Sequence, residues 1–597
     1  MVSQAFDLVV HATHEAGFKV GGIGAVLDGL LSSSTYNAAV ARTLLVGPMD
    51  TANPVEMARL IAPANKLVII YSSWHQVDAV SGRLSAELRE IEERFFVRLL
   101  YGRRTFSGPA GEFEHELLLV DARSADLLET NTLKLQLWQE YHFESDQYEW
   151  LDEFDRVIKA AGPAFAAVDL LAGGSDRTSS PRYLIAHEWM GIPLALCTGV
   201  RGGASWRLIF YAHEMATARV LVEEHPGHDT RFYNALQQAT LAGMTLEELF
   251  GDWDSFFKHA LIKQAAYMHQ IIAVGGWVEK ELRFLGGPFA NANIDLVYNG
   301  LPFQEIDLAG RSASTARLQA YCQNLLGFRP DHVFTHVTRM VVSKGIWRDI
   351  AVLRRLDPLL AQDGKTAVLF LLSTAEPAGR PVESVLRWEA EYGWPVVHQR
   401  GNGDLIGHEA PLYQGIESFN IRSRAIKIVF VNQFGWSQDR CGTKMPAEMV
   451  FSDLRQGTEL EFGQSIYEPF GIAQIEPLAF GALSLLSNIC GCVGFVEQAA
   501  REAGYEHLIN MLQADYTTLS GGLAVYSPGE ALEIGRETRD QLERANSRNV
   551  ALAIRATLPT TAKQAGALLR RGQKVSRGMS WEVVVRDYFL PALERAG

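Results

Sequence analysis

Two glutamates stand eight positions apart in the stretch from Tyr467 to Gly481, and a Pro-Phe-Gly turn follows the first of them. The turn leads into Ile-Ala-Gln-Ile, which predicts a loop that runs into the first turns of a helix. Free backbone N–H groups and the positive end of the helix dipole suit an anion or a polyhydroxyl ligand there. Glu468 and Glu476 are therefore candidate ligand-binding carboxylates, and the alternative is a pair of solvated charges at a helix start.

Two basic residues, Arg339 and Lys344, lie at the turn between a predicted strand over residues 331–340 and a predicted helix over residues 346–356. An Arg fork and a flexible Lys ammonium are suited to neutralising a diphosphate, because negative charge that develops on a leaving group must be compensated. The alternative is a solvated basic pair. Phosphate-binding cations and hydroxyl-accepting carboxylates in one domain together describe a site for a nucleotide-sugar.

A glycine loop lies near the amino terminus, where residues 7–13 predict a strand and residues 25–31 a helix. Gly21, Gly22 and Gly24 at this junction would let the backbone approach a bound group closely. The spacing is not the Gly-x-Gly-x-x-Gly fingerprint, so no nicotinamide cofactor is indicated. Tight-turn packing explains such a loop equally well.

Composition and charge limit the classes of function. The 597 residues are 47% apolar with a formal charge of −14, which is typical of a globular chain of several domains and disfavours nucleic acid or an anionic membrane as a partner. Five scattered cysteines lack the spacing of a zinc site, so we expect no structural metal and a reducing compartment. The first ten residues lack the features of a secretory signal, and we expect a cytoplasmic protein without a membrane span.

Short apolar runs alternate with amphipathic segments up to about residue 320, which predicts an open, mostly parallel α/β sheet. The predicted strands are residues 66–71, 116–121, 167–171, 193–196, 207–211, 271–274 and 294–298. Ligands bind at the carboxyl ends of strands in such sheets. Polar clusters begin there at His187, His213, Gly275 and Asn299. One histidine alone is more often structural, but several at one sheet edge favour a site.

The strand-helix pattern restarts near residue 326 and predicts a second Rossmann-like domain that faces the first across a cleft. Its further strands are predicted over residues 367–372, 426–431 and 482–487. The polar, turn-rich stretch 376–424 is interpreted as an insertion. The last segment, residues 579–593, has apolar positions at helical spacing.

The motifs of the second domain resemble those of retaining glycosyltransferases of the GT-B fold. The stretch Glu468-Pro-Phe-Gly-Ile-Ala-Gln-Ile-Glu476 is similar to their Glu-x7-Glu motif, and Arg339 to Lys344-Gly345 is similar to their Arg-x4-Lys-Gly element. This resemblance implies that Lys344 and Arg339 bind the diphosphate of a nucleoside diphosphate sugar. It also implies that Glu468 binds hydroxyls of the transferred sugar and Glu476 the ribose.

Motifs of the first domain resemble glycogen and starch synthases. Lys19-Val-Gly-Gly-Ile-Gly24 is similar to their Lys-x-Gly-Gly loop, and His213 to Arg219 is similar to a His-Ala-Thr-x3-Arg element, with Glu214 in place of a small residue. The resemblance implies that Gly21 and Gly22 offer backbone N–H groups, that Lys19 holds the phosphates or the acceptor, and that His213 lies near the donor sugar.

The segment Met579-Ser-Trp581 resembles the start of the helix that crosses back to the first domain in GT-B enzymes. The expected architecture is therefore a GT-B fold. Its parts are an acceptor-side domain over residues 1–325, a nucleotide-sugar-binding domain over residues 326–575 and a crossover helix over residues 576–597.

The resemblance implies transfer of a hexosyl, here glucosyl, group with retention of anomeric configuration to an α-glucan, without a metal or another cofactor. One alternative is an enzyme similar to sucrose or sucrose-phosphate synthases, or another transferase with a small acceptor. A second is a GT-B protein that binds a nucleotide-sugar without catalysis. The sequence leaves the donor base, UDP or ADP, open, and a homo-oligomer is compatible with it.

Overall fold

A computed structural model of the protein describes residues 5–173 and 181–597. The chain divides into two compact units. Unit 1 comprises the described residues of Met1–Thr217, Met244–Pro302 and Trp581–Gly597, and unit 2 comprises Ala218–Gly243 and Phe303–Ser580. The first ten residues are expected to lack a secretory signal, and residues 1–4 of this segment lie outside the described residues.

Unit 1 is built on one large twisted sheet. Within its described residues, ten strands form this sheet: β1 Val9–Ala12, β2 Thr43–Pro48, β3 Leu67–Ser72, β4 Val77–Asp78, β5 Arg98–Gly108, β6 Gly111–Asp121, β7 Arg182–His187, β8 Trp206–Ala212, β9 Gln270–Ala273 and β10 Ile294–Leu296. The strand order is β10-β9-β8-β7-β1-β2-β6-β5-β3-β4. The strands from β10 to β6 pair in parallel, whereas β5, β3 and β4 extend the sheet by antiparallel pairing. The predicted mostly parallel sheet is confirmed.

Two of the predicted strands are wrong. Residues 167–171 form the end of the helix Asp152–Leu171, and residues 193–196 lie inside the helix Glu188–Gly202. Both helices are largely buried, so their sequences are apolar on most sides. A short apolar run cut from such a helix has the composition of a buried strand, and periodicity alone does not separate the two.

Unit 2 contains a parallel sheet of Rossmann order. Within the described residues its six strands are β11 His332–Val337, β12 Ala367–Leu372, β13 Ile426–Val431, β14 Leu460–Gly463, β15 Leu483–Ser487 and β16 Met511–Ala514. The strand order is β13-β12-β11-β14-β15-β16, so the first strand is central and the order reverses between β11 and β14. The second Rossmann-like unit predicted from the sequence is confirmed.

The core of unit 2 covers both faces of this sheet. Alternate residues of β12 enter opposite clusters, with Leu369 and Leu371 in one and Val368 and Phe370 in the other. A parallel strand covered by helices on both faces must be apolar at every position. This explains why the sequence Ala-Val-Leu-Phe-Leu-Leu predicts the strand without any alternation.

Helices flank both sheets. Those of unit 1 are Gly22–Leu31, Ser34–Ala39, Pro54–Leu60, Gly82–Phe95, Leu127–Tyr141, Asp152–Leu171, Glu188–Gly202, Leu246–Phe250, Phe257–Gln264, Gly276–Phe284, Trp581–Val584 and Leu590–Ala596. The helix Ala216–Glu224 spans the change from unit 1 to unit 2. Those of unit 2 are His228–Ala242, Leu308–Leu326, Ile346–Gln362, Val382–Tyr392, Glu409–Arg422, Gln438–Cys441, Phe451–Gly457, Ile472–Ile475, Val493–Glu502, Pro528–Leu532, Arg536–Thr557 and Ala562–Arg577. Among the described residues, no helix combines the length and apolarity needed to cross a membrane.

The limits of the units differ from the predicted domain boundary after residue 325. The helix Leu308–Leu326 packs in unit 2, where Arg311 Nη2 donates to the carbonyl of Thr458 over 3.4 Å and Ser314 Oγ donates to Asp453 Oδ1 over 2.9 Å. Buried polar contacts of this kind have no signal in a single sequence. The stretch 376–424, interpreted as an insertion, forms the connection between β12 and β13 and carries two helices.

The last residues of the chain belong to unit 1. Trp581 packs directly against Gly29 and Gly300. A Cβ on Gly29 would lie 1.9 Å from its indole, and a Cβ on Gly300 would lie 2.6 Å from it. Glu582 accepts hydrogen bonds from the backbone N–H groups of Ser34 and Thr35 over 2.8 and 2.9 Å. The segment is helical from Trp581 to Ala596, with a π-helical turn over Val585–Phe589.

A buried charge cluster fixes the helix His228–Ala242 in unit 2. Arg348 is fully buried and donates to both carboxylate oxygens of Asp229 over 2.9 and 2.7 Å and to Glu543 Oε1 over 2.8 Å. Its guanidinium stacks 3.7 Å from the ring centroid of Tyr516. Paired carboxylates compensate the lost hydration of Arg348 only while both remain in place.

We expect Asp229→Asn to lower the free energy of unfolding of unit 2 by about 3–5 kcal/mol, because it removes half of the charge that compensates a buried guanidinium. Asp363→Asn is the matched control, since Asp363 pairs with Arg555 at the surface and its loss should leave stability nearly unchanged. Urea unfolding followed by circular dichroism measures both. Equal stabilities of the two variants would contradict the role given to Asp229.

Candidate functional site

The reversal of strand order between β11 and β14 places two loops side by side at the carboxyl edge of the unit 2 sheet. Residues 338–345 follow β11 and residues 464–471 follow β14. Such a switch point is where open α/β sheets bind ligands, because the two connections leave on opposite faces of the sheet. The first loop carries Arg339 and Lys344, and the second carries Glu468. The structure therefore brings these three predicted residues together.

Lys344 and Glu468 form an ion pair that is almost completely buried. Lys344 Nζ lies 2.6 Å from Glu468 Oε2, and each residue is 8% exposed. Ser465 Oγ and Gln474 Nε2 donate to the same oxygen over 3.3 and 2.9 Å. Burial acts to raise the pKa of Glu468, but Lys344, the exposed Arg339 and the hydroxyl of Ser465 outweigh it and lower the pKa. Glu468 is thus an ionised carboxylate at neutral pH.

The other carboxylate oxygen of Glu468 is available to a ligand. Oε1 accepts no hydrogen bond from any residue in the described part of the chain, and it is not sealed from solvent as the orphaned buried atoms elsewhere are. A carboxylate oxygen in this state is a strong acceptor for a hydroxyl group.

Gly345 allows the two loops of the switch point to approach each other. Its φ is 59°, and a Cβ at this position would lie 2.4 Å from the carbonyl oxygen of Gln464. The N–H of Ile466 donates to the carbonyl of Ser343 over 2.8 Å, which ties the loops together directly. The Lys-Gly pair in the sequence therefore has a physical reason, because only glycine fits both the conformation and the space.

Arg348 holds the backbone of the loop over residues 464–471. Its Nη1 lies 3.4 Å from the carbonyl oxygens of both Gln464 and Ser465. The charge cluster that holds Asp229 thus also holds the backbone just before Glu468. Arg348 has no distinguishing signal in the sequence, since it is one of several charged residues in an amphipathic helix.

Glu476 is engaged with a buried arginine. Arg455 Nε donates to Glu476 Oε2 over 3.0 Å, and Arg455 Nη1 donates to Glu461 Oε2 over 3.0 Å. The predicted contact between Glu476 and a ribose remains a prediction, and only its second oxygen is open to that role. Sequence reasoning missed Arg455, because nothing in the spacing links residues 455 and 476.

The glycine loop of unit 1 is organised by a buried carboxylate. Glu15 Oε2 accepts the N–H groups of Val20 and Gly21 over 2.7 and 2.6 Å, and Glu15 is 2% exposed. The prediction that Gly21 offers its N–H to a ligand is not met in this structure. Gly22 begins the helix Gly22–Leu31, so its N–H is one of the first free donors of that helix.

Lys19 extends from the same loop and is half exposed. Its Nζ lies 3.2 Å from Asp28 Oδ2. This exposed pair is weak enough for a stronger anion to displace Asp28. The role of Lys19 toward phosphates or an acceptor stays a prediction.

His213 follows β8 at the carboxyl edge of the unit 1 sheet, as its place in the sequence predicts. Its Nε2 lies 2.9 Å from Nδ1 of His187, at the end of the neighbouring strand β7. Burial, with a contribution from the charge of His14, lowers the pKa of His213 to about 3. The imidazole is therefore neutral at physiological pH.

Glu188 fixes the backbone of the His213 loop. Its Oε1 accepts the N–H groups of His213 and Glu214 over 2.5 and 2.7 Å. Its φ of 62° is in the left-handed region, which a residue with a Cβ rarely adopts. The sequence showed Glu188 only as part of a polar cluster, and a strained φ has no signal in the sequence for a residue other than glycine.

The carboxyl group of Glu188 is protonated at neutral pH. Burial and the neighbouring charge of Glu214 raise its pKa to about 8, against the opposing hydrogen bonds from backbone N–H groups. Its Oε2 is completely buried and has no hydrogen-bond partner among the described residues. The proton is placed on Oε2 by this geometry, since Oε1 already accepts two N–H groups.

A cluster of potential metal ligands lies elsewhere in unit 1. Glu247, Asp254 and His259 offer ligand atoms that lie within 4.8 Å of one another. Lys263 Nζ is already 2.9 Å from Glu247 Oε1 and 2.8 Å from Asp254 Oδ1. His259 Nδ1 forms a hydrogen bond of 2.8 Å with the hydroxyl of Thr217. The ammonium group supplies the positive charge that these carboxylates require, and the cluster is explained as an ion-pair network.

The overall fold is that of the GT-B glycosyltransferases. The catalytic domain of starch synthase IV from Arabidopsis thaliana, solved with ADP and acarbose, matches with a TM-score of 0.53 and 12% identity, and the match covers 100% of both chains. Sucrose-phosphate synthase from Thermosynechococcus elongatus matches with a TM-score of 0.49 and 13% identity over 99% of this chain and 98% of that one. No protein-family model matches the sequence, and no curated protein matches it significantly.

Glu188 should make unit 1 less stable as the pH rises. The folded state keeps the Glu188 proton up to about pH 8, whereas the unfolded chain loses it near the ordinary value of 4.5, so stability falls across this window. We expect Glu188→Gln, which keeps the acceptor oxygen but does not titrate, to lose less stability between these pH values than the unmodified protein. Glu90→Gln on the exposed surface is the control. Urea midpoints at both pH values measure the effect, and parallel losses in the two variants would contradict it.

Proposed function

We propose that this protein is a retaining hexosyltransferase that moves a glucosyl group from a nucleoside diphosphate sugar to an α-glucan. The observation that supports this most strongly is the buried Lys344–Glu468 pair at the switch point of unit 2. It combines a cation for phosphate and an ionised acceptor for hydroxyl groups at the place where Rossmann-like sheets bind nucleotides. The motifs of the sequence that resemble the retaining GT-B enzymes fall on the same residues.

The diphosphate leaving group needs positive charge as its bond to the sugar breaks. Lys344 and Arg339 supply a point charge and a planar fork from one loop, and the enclosed position of Lys344 strengthens its field. Arg339 is exposed and can reorient toward a phosphate without cost to the core. On this proposal the two cations do the neutralising, and the nucleotide-sugar is a substrate that requires no further cofactor.

Retention is proposed to follow from attack on the same face of the sugar that the phosphate leaves. The acceptor hydroxyl oxygen forms a bond to the anomeric carbon, the bond between that carbon and the phosphate oxygen breaks, and the hydroxyl proton passes to the departing phosphate. No carboxylate nucleophile is required, in contrast to retaining glycosidases. The lowered pKa of Glu468 agrees with a role in binding hydroxyls rather than in donating a proton.

Groups of unit 1 have corresponding proposed roles. The neutral imidazole of His213 suits contact with a sugar hydroxyl, because a protonated ring would repel a developing positive charge at the anomeric carbon. Glu188 keeps the His213 loop in place. The N–H of Gly22 and the ammonium of Lys19 are the further donors that we assign to phosphate or acceptor oxygens.

The acceptor distinguishes this proposal from its alternative, an enzyme with a small sugar or sugar-phosphate acceptor. The test is to incubate the purified full chain with labelled UDP-glucose or ADP-glucose and either glycogen or small acceptors. We expect label in the polymer. Label found only in small products would show that the acceptor is a small sugar and not a glucan. Tight nucleotide binding without any transfer would indicate a binding protein.

We expect Arg339→Gln to lower kcat/KM by about 10²-fold, because one preorganised charge on the leaving group is lost. Its melting temperature should stay unchanged, since Arg339 is exposed. Arg329→Gln is the matched control, because Arg329 is exposed at the opposite edge of the same sheet, just before β11. Steady-state kinetics measure both variants. If Arg339→Gln retained the activity of the unmodified enzyme, as Arg329→Gln should, the role of Arg339 at the leaving group would be refuted.

The donor base can be identified by a thermal-shift screen of UDP, ADP and GDP. A nucleotide at about 100 times its Kd should stabilise the folded protein by about 2.7 kcal/mol, which raises the melting temperature measurably. We expect one of them to do so, and Lys344→Met to abolish that shift. Stabilisation that persists in Lys344→Met would place the diphosphate elsewhere.

A further inference from the structure

A chain of hydrogen-bonding side chains leads from His213 into the core of unit 1. Nδ1 of His187 lies 2.9 Å from Nε2 of His213, and Nε2 of His187 lies 2.9 Å from Nδ1 of His11. Nε2 of His11 lies 3.1 Å from the hydroxyl of Tyr36, which lies 2.9 Å from Oγ1 of Thr43. We call these five residues the imidazole chain. His213 is half-buried, and the other four members are buried.

All three rings of the imidazole chain are neutral. Burial lowers the pKa of His11 and of His187 well below the ordinary value, and the neighbouring imidazoles lower both further. A neutral imidazole carries one proton, so it donates with one nitrogen and accepts with the other. Every link of the chain therefore depends on the next, and the whole chain has only two arrangements. The protons point either all toward Thr43 or all toward His213.

Acid and base strengths favour the arrangement that points toward His213. In that arrangement the phenol of Tyr36 donates to an imidazole nitrogen of His11, which pairs a good donor with a good acceptor. In the other arrangement His11 would donate to the weakly basic phenol oxygen. The favoured direction makes His187 donate to Nε2 of His213, and the proton of His213 is then on Nδ1.

The outer nitrogen of His213 is free to meet a ligand. Its Nδ1 makes no hydrogen bond to any residue within 5–173 or 181–597. The rings also stack: the planes of His187 and His213 differ by 17° and those of His11 and His187 by 29°. Tyr211 lies 4.4 Å from His213 between ring centroids. Stacking and hydrogen bonding together restrain the orientation of the His213 ring.

We propose that His187, His11 and Tyr36 are positioning residues that hold His213 in the tautomer with its proton on Nδ1, directed at a hydroxyl oxygen of the substrate. This inference rests on the proposed glucosyl transfer. The chain does not move a proton during the reaction in this account. It orients the N–H of His213 before the substrate binds, so this donor need not reorient when charge develops on the sugar.

His11→Asn and His11→Leu form the matched pair of variants that tests the inference. Asparagine places an N–H near the position of Nδ1 of His11 and keeps the donation to His187, whereas leucine has a similar volume and no donor. We expect kcat of His11→Leu to fall about 10-fold with the donor KM within about two-fold, and kcat of His11→Asn to stay within about three-fold of the unmodified enzyme. A role in packing alone would damage both variants alike.

Nitrogen NMR of protein labelled at histidine gives a second readout that needs no substrate. His213→Gln identifies the signals of His213, and we expect Nδ1 to be the protonated nitrogen in the unmodified protein and in His11→Asn. Protonation at Nε2 in the unmodified protein, or equal kcat values for the asparagine and leucine variants, would overturn the inference. Absence of transfer to any acceptor would instead overturn the proposed function, while the spectrum would still report the tautomer.

Discussion

The ion pair between Lys344 and Glu468 is the interaction on which the organisation of unit 2 depends. Two buried opposite charges compensate each other only if their loops are held at a fixed separation. Gly345 permits the close approach, Ser343 and Ile466 bond the loops, and Arg348 holds the backbone before Glu468. The Rossmann order of the strands supplies the position, since the two loops are neighbours only at its reversal.

Unit 1 holds the polar residues at its sheet edge in place with neutral groups. Its histidines at the carboxyl edge come from adjacent strands, and burial keeps them uncharged. A protonated Glu188 and a chain of neutral imidazoles hold the His213 loop of unit 1, where unit 2 uses ion pairs. The two units therefore differ in the chemistry of these edges. The edge of unit 2 carries a paired cation and carboxylate, whereas the histidine cluster of unit 1 carries neutral donors and acceptors.

Much of this fold follows from the sequence, because parallel strands such as Ala367–Leu372 are buried on both faces and leave continuous apolar runs. The same reasoning failed at residues 167–171 and 193–196, where helices buried on most sides leave similar runs. Arg339, Lys344 and Glu468 could be selected from the sequence because their types and spacing carry chemistry, and the structure places them on neighbouring loops. Glu15, Arg348 and Arg455 were missed, because their partners are distant in sequence and their roles arise only from tertiary contacts.

The central claim is that the protein transfers a glucosyl group with retention of configuration. The most direct measurement is proton NMR of the reaction of an α-linked nucleoside diphosphate glucose with an acceptor, followed at the anomeric signals before they equilibrate. The account predicts that the new glycosidic signal is α and appears as the donor signal disappears. A β-linked product would contradict it, because same-face attack at the site of Lys344 and Glu468 cannot invert the anomeric carbon.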